Sequence, residues 1–597
     1  MARSMFLAAL LLVAAASVQS RTTTLNILHT NDVHARFDQA SVSAGVCNAA
    51  NAAAGLCYGG YARIASVVKQ YRVIDPETLL LDAGDQYTGT FYDLLYRGNI
   101  TGEGMSMLGV NAATMGNHEF DFRIPQLVSN LASYNFPRLG LCNIDISRQP
   151  LMEGALQKFA MFNVKGFRVA VIGLLTTETN FADIVPTDNV TVTDELTGLR
   201  RCLREMRSAY PARPDVTILL SHVGYSMDLM LAAQVAGIDL VIGGHSHSFL
   251  YGNPNATRGP TLNVNPNVSS SWDNPWGPYP TYVQSNVTRN KVVPVATAAW
   301  GSRYLGSLQL TMNITSRRLV SVRGTPILLG GIGSSNPVMP DPAMAAWVAE
   351  KGAAINAFQT QVIGRASVPI RRAPYGNESA IGNLATAAAA AYWRSTWEPQ
   401  LNGPLYLVLQ NSGGLRADIA PGPISVGDAF AVQPFGNLLA VKQFDGYQIY
   451  LALEVGVSNL GTTNSGGRFP QVAGMRFVYD ARRPSGQRII KVTLVKPDGT
   501  QGELDSCKTY NLASFDYIFS GGDGYTPLAP PYGRTLVAAG PSQEVPTINY
   551  ISANSPLTPF LDGRIVGCNG VATDDPACSL PPATWAPCPT AVDPTPV

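Results

Sequence analysis

Short apolar runs punctuate the first 250 residues: LNIL (25–28), TLLL (78–81), RVAVIGLL (168–175), VTILL (216–220) and DLVI (239–242). Their length and branching suit buried strands, and segments of helical character such as YARIASVVKQYR (61–72) lie between them. Such alternation predicts an α/β fold whose sites form in loops at strand ends. From about residue 250 to 290 the chain turns to Asn, Pro, Ser and Trp and reads as an exposed excursion. Strand character returns at KVVPVATAAW and LGSLQL. Beyond NPVMPDP, AMAAWVAEKGAAINAFQTQV has few breakers and predicts a helix joining two domains. A second α/β region follows. There is no internal repeat. The expected division is a signal peptide at 1–20, a first domain at 21–335, a helical linker at 336–363, a second domain at 364–566 and a loop-like tail at 567–597.

At 597 residues the chain exceeds what one core supports. Its net charge of +1 shows no basic excess, which argues against a nucleic acid polymer or an anionic membrane as partner. MARSMFLAALLLVAAASVQS puts Arg3 ahead of an apolar run and places Val18 and Ser20 at a cleavage-type site, so it reads as a secretory signal. Eight cysteines and seven Asn-X-Ser/Thr sequons, at Asn99, Asn189, Asn255, Asn267, Asn286, Asn313 and Asn377, fit an exported, disulfide-bonded glycoprotein. The Pro-rich end lacks the apolar tail of a glycolipid-anchor signal, so the expectation is a secreted, extracellular protein without a membrane anchor.

All six histidines fall in the first 250 residues. HTNDVH supplies Asp32 and His34, LDAGD supplies Asp85, GNHE supplies Asn117 and His118, LLSH supplies His222, and IGGHSH supplies His245 and His247. Strand ends of one parallel sheet converge, so these residues, spread over more than 200 positions, are expected to line one pocket. Any one histidine alone reads as structural, as His29 does at its strand end; the shared placement after apolar runs reverses that weighting. Imidazole with carboxylate suits zinc, manganese or iron better than magnesium or calcium. Seven ligands exceed one tetrahedral ion, implying two divalent ions, with Asp85 as the shared carboxylate behind the Gly84 turn.

The ordered set HTNDVHARF, LLLDAGDQYTGT, TMGNHEFDF, LLSHVGYSMD and VIGGHSHSFLY resembles the calcineurin-like metallophosphoesterase domain of the 5′-nucleotidase family. The similarity, closest to the animal ecto-enzymes, continues through CYGGYARI, WGSRYLGSL and TPILL and runs from about residue 24 to 565. It implies a four-layer α/β/β/α sandwich joined by a helical linker to a second α/β, nucleotide-binding domain. By position it assigns Asp32, His34, Asp85 and His247 to one ion, and Asp85, Asn117, His222 and His245 to the other. Some relatives carry Asn or Gln where this chain has His247. The ions implied are zinc, with manganese or another divalent ion as alternatives. They would lower the pKa of a bound water, which attacks phosphorus in line. His118, oriented by Asp121, is the implied catalytic residue that stabilises the transferring phosphoryl group and serves the leaving oxygen as an acid.

In the second region, NSGGLRADI, VQPFGN and SFDYIFSGGDGY read by themselves as loops. The resemblance assigns them to a nucleoside site: Phe435 and Tyr517 as faces for the base, Asn411 on the base, Arg416 on the sugar or phosphate side and Asp523 on the ribose hydroxyls. Tyr517, Ser412 and Thr386 depart from the animal residues, and Arg371 and Arg372 do not align cleanly with a phosphate-side arginine. A Cys47–Cys57 disulfide, rotation of the domains about the linker and a homodimer through the second domain are also implied. The expected activity is hydrolysis of nucleoside 5′-monophosphates, AMP first. Cleavage of di- and triphosphates, UDP-sugars or 2′,3′-cyclic nucleotides, or nucleotide binding without catalysis, are the alternatives.

Overall fold

A computed structural model of the chain describes residues 21–41, 47, 49–177, 189–210, 212–252, 275–334, 336–396, 407–460, 467–537, 540–568 and 578. The expected signal peptide, the sequons at Asn255 and Asn267 and most of the expected tail lie outside the described residues.

The five apolar runs form the strands Thr22–Thr30, Leu79–Asp82, Phe167–Leu175, Val216–His222 and Leu240–Gly243. They belong to two six-stranded sheets, as the implied sandwich requires, rather than to the single parallel sheet assumed in the strand-end argument. The first runs Arg318–Leu328, Tyr304–Asn313, Thr22–Thr30, Leu79–Asp82, Ala112–Thr114, Arg138–Leu139. The second runs Thr281–Gln284, Val292–Ala296, Leu240–Gly243, Val216–His222, Phe167–Leu175, Phe159–Val164. Each keeps four neighbouring parallel strands and takes antiparallel partners outside them. The strand Thr281–Gln284 brings the end of the expected excursion into the second sheet.

Alternation along the strands sorts the layers. Leu25, Ile27, Leu79 and Leu81 meet Val169, Val171 and Ile218 in a core shared by both sheets. Leu28 and Leu80 instead join Tyr61, Ile64 and Val68 of the helix Tyr61–Ile74. Leu199, Leu203 and Met206 of the helix Glu195–Ala209, with Leu231 of the helix Tyr225–Gln234, cover the second sheet. The four layers are the α/β/β/α sandwich expected.

The second half holds a five-stranded sheet, ordered Pro470–Ala473, Leu407–Asn411, Thr509–Phe515, Leu439–Asp445, Arg534–Val537. A four-stranded sheet follows the order Gln501–Glu503, Ile489–Val495, Met475–Tyr479, Ile565–Gly567. Ile449, Leu453 and Val457 of the helix Gly446–Val457 pack with Leu407, Leu409, Phe477 and Ile489, sharing one core with both sheets.

Between the halves runs the helix Pro342–Gln359. Asp341 caps it by accepting from Met344 N (3.0 Å), and Pro342 occupies the first turn, where a missing N–H costs nothing. Trp347 and Val348 pack with Tyr61 and Ile64, while Ile355 joins Phe91, Val426 and Phe430 in a cluster spanning both halves. Phe91 and Phe430 lie 4.0 Å apart, ring to ring.

Cys47 pairs with Cys57 as the resemblance implies, and Cys142 with Cys202 and Cys568 with Cys578. Cys507 is also disulfide-bonded. Among the described residues no helix is long and apolar enough to cross a membrane.

Candidate metal centre

The candidate ligands gather where the parallel strands of both sheets end. The first sheet delivers Asp32 and His34 after Thr22–Thr30, Asp85 after Leu79–Asp82 and Asn117 after Ala112–Thr114. The second delivers His222 at the end of Val216–His222, and His245 and His247 after Leu240–Gly243. Asp32, His34 and His247 form one group able to hold an ion, and Asp85, His222 and His245 form another, with ligand atoms in each within 4.8 Å of one another. Asp85 Oδ2 lies 3.1 Å from His222 Nε2 and 3.8 Å from His34 Nε2, so the carboxylate stands between the groups. Asn117 Oδ1 is 3.2 Å from His222 Nε2.

The donor chemistry fits divalent cations. His222 Nδ1 donates to Ala83 O (2.7 Å) and His34 Nδ1 to Tyr87 O (3.1 Å), because a carbonyl only accepts; each ring, when neutral, therefore presents a bare Nε2. His34 Nε2 and His247 Nε2 face each other at 2.9 Å, a pairing that a shared cation satisfies. Without an ion, protons take over part of that work. Burial lowers the His222 pKa, but the Asp85 charge outweighs it and raises the ring to about 9. Burial likewise pushes the Asp85 carboxyl up, yet His222 and His118 hold it well below the usual range. Burial dominates at His34, drawn down to about 3, and at Asp32, raised to about 6.

Asp32, His34, Asp85, His245 and His247 all adopt left-handed backbone, with φ between 48° and 74°. Asp and His tolerate that region better than most residues, but each such turn needs support. It comes from loop-to-loop bonds, Asp32 N to Gly84 O (2.9 Å) and His34 N to Asp85 O (3.0 Å), and from two buried acids. Asp82 accepts from Gly84 N (3.1 Å), Thr30 Oγ1 (2.6 Å) and Gln86 Nε2 (2.6 Å). Glu119 accepts from Gly116 N (2.6 Å), Gln86 N (2.7 Å) and Asp85 N (3.1 Å). Sequence reasoning passed over both acids, although they stand inside the LDAGD and GNHEFDF motifs; a carboxylate at the start or middle of such a motif was the available signal.

His118 lies beside this centre. Its Nδ1 is 2.7 Å from Asp121 Oδ2, its backbone N–H donates to Asp85 Oδ1 (3.0 Å), and its Nε2 is buried with no hydrogen-bond partner among the described residues. Burial opposes protonation, but the charges of Asp121 and Asp85 prevail and raise the ring to about 10. Thr88 Oγ1 also donates to Asp121 Oδ2. His29 sits apart, stacked on Tyr279 with its Nε2 2.7 Å from the hydroxyl.

In the second half, Asn411, Tyr517 and Asp523 share one hydrogen-bonded set: Asn411 Nδ2 donates to Asp523 Oδ2 (2.6 Å) and Tyr517 Oη to Asp523 Oδ1 (2.8 Å). The Arg416 guanidinium lies 5.7 Å from the Phe435 ring centre. Arg372 pairs with Asp418 at 3.2 Å. Asp516, next to Tyr517, lies in the fields of His118 and Arg36, so this loop of the second half faces the candidate metal centre.

A two-sheet sandwich with two adjoining ligand groups at its strand ends defines a metal-dependent phosphoesterase, and residues 25–249 match the calcineurin-like phosphoesterase family. Residues 362–530 match the 5′-nucleotidase C-terminal domain. The chain is 32% identical to the 5′-nucleotidase of Bos taurus, over 91% of this chain and 90% of the relative, and 30% identical to an apyrase of Tabanus yao, over 91% and 93%. A crystal structure of a Thermus thermophilus 5′-nucleotidase precursor is 31% identical, with a TM-score of 0.55 and coverage of 91% and 99%. The chain belongs to the 5′-nucleotidase family, and it is a metal-dependent phosphoric monoester hydrolase acting on nucleotides with two divalent ions.

Proposed function

We propose that the protein hydrolyses nucleoside 5′-monophosphates, AMP first, to nucleoside and phosphate, in the extracellular space. The observation that carries this reading is the Asp85 carboxylate between two ligand groups, with the His118–Asp121 pair bonded to it. Residues 21–335 would supply the metal centre, 336–363 the linker and 364–566 the nucleoside site. Asp32, His34, Asp85 and His247 would hold one ion, and Asp85, Asn117, His222 and His245 the other, both zinc in this proposal. When bound, the two ions act as Lewis acids that neutralise phosphate charge and make a water acidic. His118 Nε2 then donates to the phosphoryl group or the leaving 5′-oxygen, and Asp121 fixes the imidazole through Nδ1. Phe435 and Tyr517 would flank the base, Asn411 contact it, Arg416 serve the sugar or phosphate side and Asp523 take the ribose hydroxyls. Disulfides and exposed Asn99, Asn286 and Asn377 support export and glycosylation. A homodimer would form through the second domain.

The apyrase relative favours a second reading, in which nucleoside di- and triphosphates are also cleaved. Analysis of the nucleoside, nucleotide and phosphate products from AMP, ADP, ATP, UDP-glucose and 2′,3′-cyclic AMP decides between them. The assay runs with chelator, with zinc or manganese restored, and beside His118→Ala. Chelator-sensitive release from AMP alone, absent in the variant, is the expected result. Strong turnover of ATP or UDP-glucose moves the substrate, and binding without turnover overturns catalysis.

A further inference from the structure

We infer that Arg36 and Trp300 are a positioning pair for the Asp32, His34 and His247 group, and that they seat it against the second half of the chain. The inference rests on the dimetal reading above. His247 is the ligand of this group most in need of support, since its side chain is 17% exposed while those of Asp32 and His34 are buried. Its imidazole lies flat on the Trp300 indole, centroids 4.9 Å apart and planes 9° from parallel. The same indole meets the His34 ring edge-on at 6.1 Å.

Arg36 completes the arrangement. Its guanidinium carbon is 4.6 Å from the Trp300 ring centre, and its Nη1 donates to His34 O at 2.7 Å. One guanidinium thus touches the backbone of one imidazole ligand and, through the indole, the ring of the other. A planar guanidinium suits both contacts, stacking on the ring while its edge donates. The group is also wedged between the halves. A methyl placed on Gly89 would come within 2.6 Å of Arg36 Nη1, and one on Gly436 within 3.0 Å of Nη2. Gly89 belongs to the first half and Gly436 to the second, beside Phe435. Glu544 and Asp516 of the second half add their fields to this buried cation, and Glu544 Oε2 is buried without a hydrogen-bond partner among the described residues. Moving the second half away removes Gly436 and both carboxylates from Arg36, so the orientation of the His34 and His247 rings depends on how the halves are seated.

The test strips the full-length protein of metal and titrates it with zinc and, separately, manganese, reading ions bound per chain by elemental analysis and affinity by calorimetry. Two ions are expected in the wild type. Residues that orient metal ligands are worth about 10–100-fold in affinity, so Trp300→Leu and Arg36→Met should weaken one ion by that factor and spare the other. Trp300→Phe, which keeps a ring on His247, should stay within about threefold of wild type. Arg36→Lys keeps the charge without the planar fork; it should weaken the same ion, and it serves if either larger change prevents folding. Wild-type affinity for both ions in Trp300→Leu, Arg36→Met and Arg36→Lys overturns the pairing alone, as does a Trp300→Phe as weak as Trp300→Leu. A wild type that binds no ions overturns the dimetal reading and the pairing together.

Discussion

Gly116 offers the sharpest test of the metal centre because its replacement acts through one atom. The residue has an ordinary backbone, so alanine adds no conformational strain; everything follows from its methyl group. That carbon would lie 2.1 Å from Asp85 Oδ1, 2.4 Å from Asp85 N and 2.8 Å from Asp85 Cγ. Ordinary contact begins near 3.4 Å, so Asp85 or the Gly116 turn must retreat by about 1 Å. Asp85 Oδ1 is also pinned by the His118 N–H at 3.0 Å, and Oδ2 by His222 Nε2 at 3.1 Å. Retreat therefore loosens both the carboxylate between the two groups and the His118 turn. Displacements of about 1 Å at a reacting centre reduce rates by about 100-fold, and overpacking of this kind destabilises by about 1–3 kcal/mol. Gly116→Ala is expected to lower phosphate release from AMP at least about 100-fold and to weaken metal binding, while remaining folded. Gly502→Ala, with no neighbour within 4 Å, is the control. Activity and metal affinity of Gly116→Ala within about threefold of wild type would show that Asp85 does not hold the position argued here.

Three further outcomes are expected. Glu119→Ala strands three buried N–H groups, so urea unfolding should show a loss of at least about 2 kcal/mol, and an unchanged midpoint would deny Glu119 its part in holding the loops. His29 is buried and its pKa lowered from 6.5 to about 3, so the unfolded chain takes up the proton first and stability present above pH 6.5 falls as pH drops. The loss should reach about 2 kcal/mol by pH 5, and a His29→Gln variant with the same pH slope would remove His29 as its source. Tyr517→Phe keeps the ring but loses the donor to Asp523, so KM for AMP should rise a few-fold with kcat kept; Tyr517→Ala should raise it by about 5–150-fold, the worth of one base stack, and equal KM values would remove the stacking role.

The candidate ligands were legible because chemistry sits at the ends of apolar runs, and a parallel strand end is where such residues converge. Which sheet each run joins was not legible. Strands covered on both faces look alike, so TLLL and VTILL carry no mark of belonging to different sheets. The strand Thr281–Gln284 (TYVQ) was missed because an edge strand shows one weak alternation, which its Asn- and Pro-rich surroundings mask. The Cys142–Cys202 pair, 60 residues apart, depends on the fold that joins them. Arg36, His247 and Trp300 likewise form one stack from three distant places, which local pattern does not record. Asp82 and Glu119 were in plain view, but the part a carboxylate plays in holding a loop shows only once its hydrogen bonds are known.

Those two acids bear on what metal removal does. The left-handed turns at Asp32, His34 and Asp85 are held by backbone bonds and by Asp82 and Glu119, none of which requires an ion, so the ligand loops should keep their shape after chelation. What chelation leaves is a buried cluster of carboxylates and imidazoles, whose charge is balanced by the protons of His118 and His222. The His222 pKa rises from 6.5 unfolded to about 9 folded, so its contribution is fully present below pH 6.5 and is lost as pH climbs through about 9. The full shift corresponds to about 3 kcal/mol. The metal-free protein should therefore be distinctly less stable at pH 9.5 than at pH 6.5. Restoring zinc or manganese should recover more stability at the higher pH, because there the ion replaces no proton. Calorimetric unfolding of chelated and reloaded protein across this range measures the difference. An ion that stabilises equally at both pH values would mean that His222 surrenders no proton on metal binding, and would remove it from the ligand set.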